Sequence, residues 1–513
     1  MTAASLLLCN VRIPDANGKL TPYCAVQIEA GKIARFFSEP YPKVSAAQRL
    51  DAKGHLALPA FCDSHTHFSE YGLRLTQLDL SGLSLQAALE RIRKRVATAP
   101  KETWITGGGW TRQAFGLFPT AAMLDEISTE HFIALRSADW HAAWCNSRVL
   151  QKLHPHEFAE AELPCDEQGR FKSVAFERAA KKAMSFVTIS AQERQAAIKL
   201  AQEEFFKLGI TEILTMEESA ALPDYHALGE TLKLRVRVAI YLESLDAAKK
   251  FYAAHPNTNT SLEAAKLFLD GSLGSETCSM LEPFEGQRSS GIDFYSDADL
   301  VALFKLVERE GLAISVHAIG DRAVRRALNA FEKLRAQSSP QATGAALPHR
   351  IEHAQTIHDS DVTRFAKHGI IASMQPVHIR ADIALARRLL GARAERLYRF
   401  NSLQSSGATL IFGSDTPVES PNVFEGLFYA IVRCDEQGQV WYGHERLRLQ
   451  DAVLAYTVNP RRIIHAPRGA LEVGCEADII LLSENIFQIP LQNLAQVQVL
   501  ATILGGEVVY SVL

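Results

Sequence analysis

The chain has 513 residues, 47% hydrophobic and 22% charged, which excludes a mainly disordered polypeptide and leaves ample material for a large core. Its 54 Lys and Arg nearly balance 58 Asp and Glu, a formal charge of −4, so no global field favours nucleic acid or an acidic membrane. The eight cysteines are scattered without a Cys-x-x-Cys pair, which argues against a thiolate zinc knuckle or a dithiol redox motif.

At roughly 150 residues per domain the length suits about three domains or one decorated α/β barrel. The first residues lack a basic segment, and their apolar run Leu6-Leu7-Leu8 is too short for a secretory signal. No apolar run reaches the roughly 18 residues of a membrane span. The expected location is therefore cytoplasmic, with reduced thiols. Alternating segments at 6–13 and 25–36 near the start, and at 477–483 and 497–510 near the end, are separated by Gly and Asn turns. They predict two halves of one small β domain, 1–57 and 465–513, with everything between, 58–464, inserted into it.

The inserted part opens with an apolar strand at 58–66. A gap follows that is too long for one crossover, so an insertion over about 72–205 is expected to carry its own helices and strands. Within it, the basic cluster Arg91, Arg93, Lys94, Arg95 has helical spacing and reads as a solvated helix face. Further strands are expected at 209–216, 234–241, 264–270, 313–318, 349–354, 370–376 and 409–415, with helical stretches such as 298–311 and 321–337 between them. From 209 to 409 the strand starts recur about every 33 residues, the pace of βα units, and eight strands close a parallel barrel. An insertion after the first strand belongs at the C-terminal mouth of such a barrel, where active sites form, and is a candidate lid.

The chemistry-bearing residues fall at strand ends. Asp63-Ser64-His65-Thr66-His67 closes the first strand, and residues two apart on a strand share a face, so His65 and His67 converge. An isolated His-x-His is a weak signal. Here His317 and His353 end later strands, and Asp415 ends the eighth in Phe-Gly-Ser-Asp. Neutral imidazoles with a carboxylate suit zinc or a similar divalent ion. Lys266 sits in the apolar strand Ala-Ala-Lys-Leu-Phe-Leu-Asp, where an unpaired ammonium is costly. Two readings stand side by side: a salt bridge to Glu217 or Asp270, or a carbamate formed from carbon dioxide that bridges two metal ions, with Glu217 as a competing bridging carboxylate. Asp63, Asp321 and Glu352 neighbour the ligands in sequence as candidates to support them, or are ordinary capping carboxylates. Trp110, His141, His378 and Arg380 are candidate substrate contacts, with core packing or surface exposure as the alternative for each. Gly107-Gly108-Gly109 is no phosphate loop, since no Gly-Lys-[Ser/Thr] follows. Ser272 and Ser275 do not form a Gly-x-Ser-x-Gly elbow, and their loop is expected to shape the pocket.

The ordered motifs DSHTH, KLFLDGSLGS, VHAIGDRA, RIEHAQ, SMQPVH and FGSDTPVESP, followed by LAYTVNPRRII and GALEVGCEADIILL, resemble the amidohydrolase superfamily, specifically its YtcJ-like metal-dependent hydrolases. The resemblance spans about residues 5–510. It implies a (β/α)8 TIM-type barrel with a composite β-sandwich, and metal ligands His65, His67, Lys266 as the carbamate, His317, His353 and Asp415. The second strand, LGITEILTMEES, departs from the LGITSVHDAG-like pattern of such proteins.

The expected activity is hydrolysis of a non-peptide C–N bond of a small molecule, with two zinc ions and Asp415 as general base and then acid. A mononuclear deaminase of a cyclic amidine or amino-heterocycle is the alternative, though that subclass does not use a lysine on the fourth strand. A metal-free regulatory or binding protein is a third reading. Partners other than substrate are not expected beyond a homo-oligomer; neither nucleic acid nor membrane is.

Overall fold

The computed structural model describes the chain except residues 1–4, 16, 41–45, 47, 138–141, 161, 166–173, 257, 338–346, 436 and 465. Eight parallel strands form its central sheet: β1 (Phe61–Thr66), β2 (Ile210–Glu217), β3 (Arg235–Tyr241), β4 (Thr260–Phe268), β5 (Ala313–Ala318), β6 (Arg350–His353), β7 (Ile371–Met374) and β8 (Leu410–Phe412). Each pairs with its neighbour in chain order, and a parallel bridge between Thr66 and Thr416 joins the first edge to the last. Every residue of β1, β2 and β5 is buried, the pattern of parallel strands covered on both faces. The α/β TIM-type barrel expected from the strand spacing is the fold observed.

Several strand limits differ from expectation, for identifiable reasons. The run 58–66 is two strands, because Leu56–Pro59 pairs antiparallel with Ile479–Leu482 and only Phe61–Thr66 enters the barrel. The fourth strand starts earlier than its apolar core, at Thr260, because Glu263 is buried against two arginines rather than exposed. The eighth ends at Phe412, and the chain then turns so that Asp415 has φ 62°. The helix Asp297–Arg309 is capped by the Ser296 side chain and carries Asp297 and Asp299 in its first turn, while Asp321–Gln337 covers the expected 321–337.

Both chain ends contribute to two four-stranded sheets. One runs Lys32–Ser38, Tyr23–Glu29, Leu6–Cys9, Gln48–Asp51; the other runs Glu507–Ser511, Val499–Leu504, Ile479–Leu482, Leu56–Pro59. Leu6, Leu8, Val26, Ile28 and Ile33 from the first share a core with Ala57, Ile479, Leu481 and Ile503 from the second. This is the composite β-sandwich. Among the described residues no helix is long and apolar enough to cross a membrane, and all eight cysteines are free.

Residues Gly72–Ala197 form a separate compact unit. Its five-stranded sheet runs Ala175–Phe176, Ala142–Cys145, Phe132–Ser137, Trp104–Trp110, Leu78–Asp79. The glycine triplet lies within the strand Trp104–Trp110, and Arg91, Arg93, Lys94 and Arg95 are exposed on the helix Leu85–Thr98.

The lower, N-terminal part of the barrel is filled by charge. Glu212 of β2 faces Arg237 of β3 at 3.0 Å and accepts from Arg461 and Arg468 at 2.9 Å; Arg237 also donates to Glu263 of β4 at 2.7 Å, and Arg350 of β6 pairs with Glu263. Arg461 further donates to the carbonyls of Ala60 and Phe61, holding the entry to β1. Removing one partner of a buried set leaves charges stranded, which costs about 3–5 kcal/mol, whereas exposed pairs contribute roughly 0–1 kcal/mol. Glu212→Ala is therefore expected to lower the midpoint of urea denaturation clearly, while Glu204→Ala, which loses a surface pair with Lys207, leaves it nearly unchanged. Equal midpoints for the two variants would contradict this account.

Candidate metal centre and its pocket

The opposite, C-terminal end of the barrel holds the histidines. His65 and His67 leave β1 two residues apart, and their Nε2 atoms lie 3.3 and 3.2 Å from Asp415 Oδ1. The three residues present ligand atoms within 4.8 Å of one another, a spacing that a single ion fits. His353 lies between its neighbours, its ring centroid 4.8 Å from that of His65 in a tilted arrangement and 4.5 Å from that of His317 edge to face. His378 approaches Asp415 from the other side, Nε2 to Oδ2 3.3 Å. These residues, with Lys266, line one cavity of about 340 Å³.

Ring orientations follow from what each imidazole touches. His65 Nδ1 lies 2.7 Å from Glu352 Oε2. Despite burial, which would raise it, Glu352 is held down to about 2 by His65, Lys266 and Arg350, so it accepts and His65 donates. Against burial and Lys266, which lower it, Glu352 and Asp415 raise His65 above its ordinary value; a proton on Nε2 faces Asp415, and a metal ion would take its place. His317 Nε2 donates to the Gly271 carbonyl at 3.1 Å, leaving its Nδ1 lone pair free. Burial, reinforced by Lys266, lowers His317 to about 3, and burial with His317 and His65 holds His353 well below its ordinary value. Both stay neutral, the form that binds metal. Burial would raise Asp415, yet His65, His378 and His67 hold it well below the usual carboxylate range. Neutral His317 and His353, the paired imidazoles of His65 and His67 and the ionised oxygen of Asp415 together form a donor set that fits a divalent ion.

Lys266 is almost fully buried, and among the described residues it makes neither a side-chain hydrogen bond nor an ion pair; its Nζ sits 5.1 Å from the Phe268 ring centroid. The salt bridges considered from sequence do not form. Glu217 accepts instead from Ser69 N at 3.1 Å, Ser69 Oγ at 2.6 Å, Thr215 Oγ1 at 2.8 Å and Tyr225 OH. Both its oxygens are spent, so it is not a bridging carboxylate. Asp270 accepts from the N–H groups of Ser279, Ile319 and Gly320 and so ties the loop after β4 to the end of β5. Burial lowers Lys266 to about 8.

The remaining candidates separate. Asp63 is buried under the site, accepting from the N–H groups of His65 (3.2 Å) and Ser414 (3.0 Å), and burial pushes it up to about 6. Glu352 orients His65 and accepts from Ser315 at 2.6 Å. Asp321 is not at the centre: it opens its helix, accepts from Leu281 N at 2.7 Å and faces Arg396. Arg380 is also corrected, because its guanidinium pairs with Glu419 at 2.6 Å and is absent from the cavity wall. Trp110 is buried in the core of its own unit, donating to Leu135 O at 2.8 Å and stacking on Phe115, so it is a packing residue. His141 lies outside the described residues. Ser272, Leu273 and Gly274 do line the cavity, as the loop reading expected.

Sequence reasoning missed Phe268, Ile319, Gln355, Asp382 and Val418, which complete the wall. Asp382 had a signal, since it stands one helical turn after His378, and it accepts from Tyr398 OH. Gly413 also had a structural reason to be glycine: an added Cβ would lie 2.5 Å from His65 N and 2.8 Å from Asp63 Oδ1.

The family model described as the amidohydrolase family matches residues 48–510. A Bacillus subtilis (strain 168) protein named putative amidohydrolase YtcJ is 27% identical, over 90% of this chain and 90% of its own. The Arabidopsis thaliana protein LONG AFTER FAR-RED 3 is 26% identical, over 99% and 92%. Among solved structures, an uncharacterized metal-dependent hydrolase from Pyrococcus horikoshii OT3 superposes with a TM-score of 0.79 at 26% identity, covering 95% of this chain and 99% of that one.

The lowered Lys266 has a consequence for metal-free protein. In the unfolded chain the amine titrates near 10.5, and in the fold near 8. Between those values the unfolded chain binds more protons, so stability rises with pH; below pH 8 the full cost of a buried ammonium is present. Lys266→Met is expected to raise the thermal midpoint of chelator-treated protein at pH 7 in CO2-free buffer, and to raise it less at pH 10. A gain that did not shrink with pH would contradict the unpaired-amine reading.

Proposed function

The chain belongs to the amidohydrolase family, and on that premise we propose that it is a two-metal hydrolase of an amide-type C–N bond in a small molecule. Metal-dependent hydrolysis in general follows from the family and from its relatives. The observation that carries the finer reading is Lys266, a buried amine with no side-chain hydrogen bond or ion pair among the described residues, which lines the same cavity as four imidazoles from three strand ends and Asp415.

His65, His67 and Asp415 would hold one ion, His317 and His353 the other, with Lys266 between them. When bound, zinc or a similar divalent metal supplies Lewis acidity, bringing the pKa of water toward ~7 and polarising the scissile carbonyl. Lys266 takes part as a carbamate: its neutral amine attacks the carbon of CO2, an N–C bond forms and one proton leaves to solvent. Burial favours the neutral amine that this step needs.

Asp415 is the proton carrier. Its carboxylate, kept ionised by the imidazoles around it, takes a proton from the attacking water and delivers it to the leaving nitrogen, so that the amine departs neutral. His65 is kept in one tautomer by Glu352, and Asp63 fixes the backbone on which His65 and Asp415 face each other.

The decisive experiment is a screen of zinc-loaded protein across amide classes, reading release of the leaving amine. Turnover of amino-heterocycles with ammonia release, and of no amide, would overturn the reading in favour of a deaminase. Asp415→Asn is expected to lower kcat by about 10²–10⁴-fold, the usual contribution of a general acid–base; near-wild-type turnover would remove its assigned role. Lys266→Ala is expected to lose both metal, measured by elemental analysis, and activity, with partial recovery in short carboxylic acids. Full activity would exclude the carbamate.

A further inference from the structure

Asp382 lies in the first turn of the helix Ile379–Leu390, one turn after His378, and lines the cavity. The residue is 8% exposed. One carboxylate oxygen, Oδ2, accepts from Tyr398 OH. The other, Oδ1, makes no hydrogen bond among the described residues, yet it is not one of the fully enclosed unpartnered atoms, so it keeps surface where the residue meets the cavity. No lysine or arginine pairs with this carboxylate among the described residues; its charged neighbours are His378 and Glu419. Arg380, two residues earlier, is held by Glu419 at 2.6 Å.

Charge is therefore unbalanced at this wall. Burial raises the Asp382 carboxyl above its ordinary range, opposed by Tyr398 and His378 and reinforced by Glu419. Its seat near a helix N-terminus favours the anion. A carboxylate enclosed to this degree is costly to ionise without a partner of opposite charge, and the fold supplies only an imidazole that is already turned to Asp415. A cation arriving in the cavity completes the pair.

The rest of the wall narrows what carries that cation. Phe268, Leu273, Ile319 and Val418 offer hydrocarbon, and apart from Lys266 at the centre no lysine or arginine lines the cavity among the described residues, so an anionic substituent finds no partner there. His378 gives the direction, since its Nε2 lies 3.3 Å from Asp415 Oδ2. Asp382 thus stands on the side of the second oxygen of Asp415, the group assigned to hand a proton to the leaving nitrogen. The cation belongs to the leaving amine rather than to the acyl group.

We propose that Asp382 is a specificity-determining residue that binds a protonated amine on the leaving group, so that the substrate is a monoacylated diamine whose alkyl chain lies on Phe268, Leu273, Ile319 and Val418. The proposal deepens the hydrolase reading above and rests on it for the bond that breaks. Water adds across the C–N bond to give a carboxylic acid and a diamine, and the ammonium on Asp382 passes through the step unchanged. That ammonium makes a charge-assisted hydrogen bond which a methyl group of similar size cannot.

The test uses zinc-loaded full-length protein with monoacetylated ethane, butane and hexane diamines, each beside the N-alkylacetamide in which methyl replaces the ammonium. A further compound, δ-acetamidovalerate, puts a carboxylate at that end. kcat/KM is read from release of the amine, and Kd by calorimetry for compounds not turned over. At neutral pH wild type is expected to favour at least one ammonium compound over its methyl partner by about tenfold, one charge-assisted hydrogen bond, and to disfavour the carboxylate. Asp382→Asn keeps the size and an acceptor for Tyr398 OH but removes the charge; it is expected to bring that ratio to within about twofold, with zinc content unchanged. If Asp382 only steadies His378 and Tyr398, the substitution slows both compounds alike and keeps the ratio, which would overturn the proposal. So would a wild type that ranks ammonium and methyl compounds equally at every chain length, or one that prefers the carboxylate. Should Asp382→Asn fail to fold, the wild-type rankings alone decide. Ammonium-selective binding without hydrolysis of any compound would support the cation subsite and count against the hydrolase reading only.

Discussion

Two backbone hydrogen bonds, Asp415 N–H to His65 O at 2.7 Å and His67 N–H to Thr416 O at 2.8 Å, lace β1 to the chain leaving β8. They are the seam at which the barrel closes, and they also set the distance between the two histidines and the carboxylate they face. Asp63 sits under this seam and accepts from both sides of it, from His65 and from Ser414. Gly413 lets the strands approach, since any side chain there would collide with His65 and Asp63. The geometry of the centre is thus a product of closure rather than of flexible loops, which is the way to hold ligating groups within a fraction of an ångström.

The two ends of the barrel solve the problem of buried charge differently. At the lower end, Glu212 and Glu263 are met by Arg237, Arg350, Arg461 and Arg468 with direct, multiple hydrogen bonds. Those groups serve closure, tying β2, β3, β4 and β6 to the helix Val458–Arg462. At the upper end the balance is left incomplete. Among the described residues Lys266 forms no ion pair, although Glu352 and Asp415 act on it at longer range, and a Gln355 oxygen has no hydrogen-bond partner. Orphaned atoms occur at both ends, since Arg237 Nε and Arg350 Nε and Nη1 also lack hydrogen-bond partners; what marks the upper end is a buried amine that opens on a cavity lined by imidazoles.

Much of this was legible in the sequence because strand periodicity and strand ends are local. The spacing of β2 to β8 gave the barrel, and once strands are parallel their C-terminal residues share one mouth, so His65, His67, His317, His353 and Asp415 had to gather. What was not legible depends on partners distant in sequence. Glu217 looked like a free bridging carboxylate until Ser69 and Tyr225 closed on it. Arg380 stood open between substrate contact and surface residue until Glu419 was placed beside it. Trp110 was misread because an aromatic residue near a glycine run has no local mark that separates core from cavity; only the fold of residues 72–197 buries it. Gln355 stood in plain view in RIEHAQ, but an orphaned oxygen is visible only when every neighbour has been placed.

Strain joins these observations. His353, Ala354 and Asp415 are non-glycine residues at positive φ: His353 ends β6, Ala354 follows it, and Asp415 lies three residues beyond β8. Each such residue costs on the order of 1–3 kcal/mol, and there is no local reason for the chain to accept it, since neither turn needs glycine to be tight. The compensation lies in the backbone hydrogen bonds that hold each turn, Ala354 N–H to Glu352 O, Thr356 N–H to Ile319 O and Asp415 N–H to His65 O. The consequence is directional. With left-handed backbone at 353 and 354, His353 and Gln355 both line the same cavity. The turn at Asp415 brings its two oxygens between His65 and His67 on one side and His378 on the other. Positive φ at these three residues therefore accompanies the change from strand ends that merely converge to a pocket in which His65, His67, His353 and Asp415 already face one another.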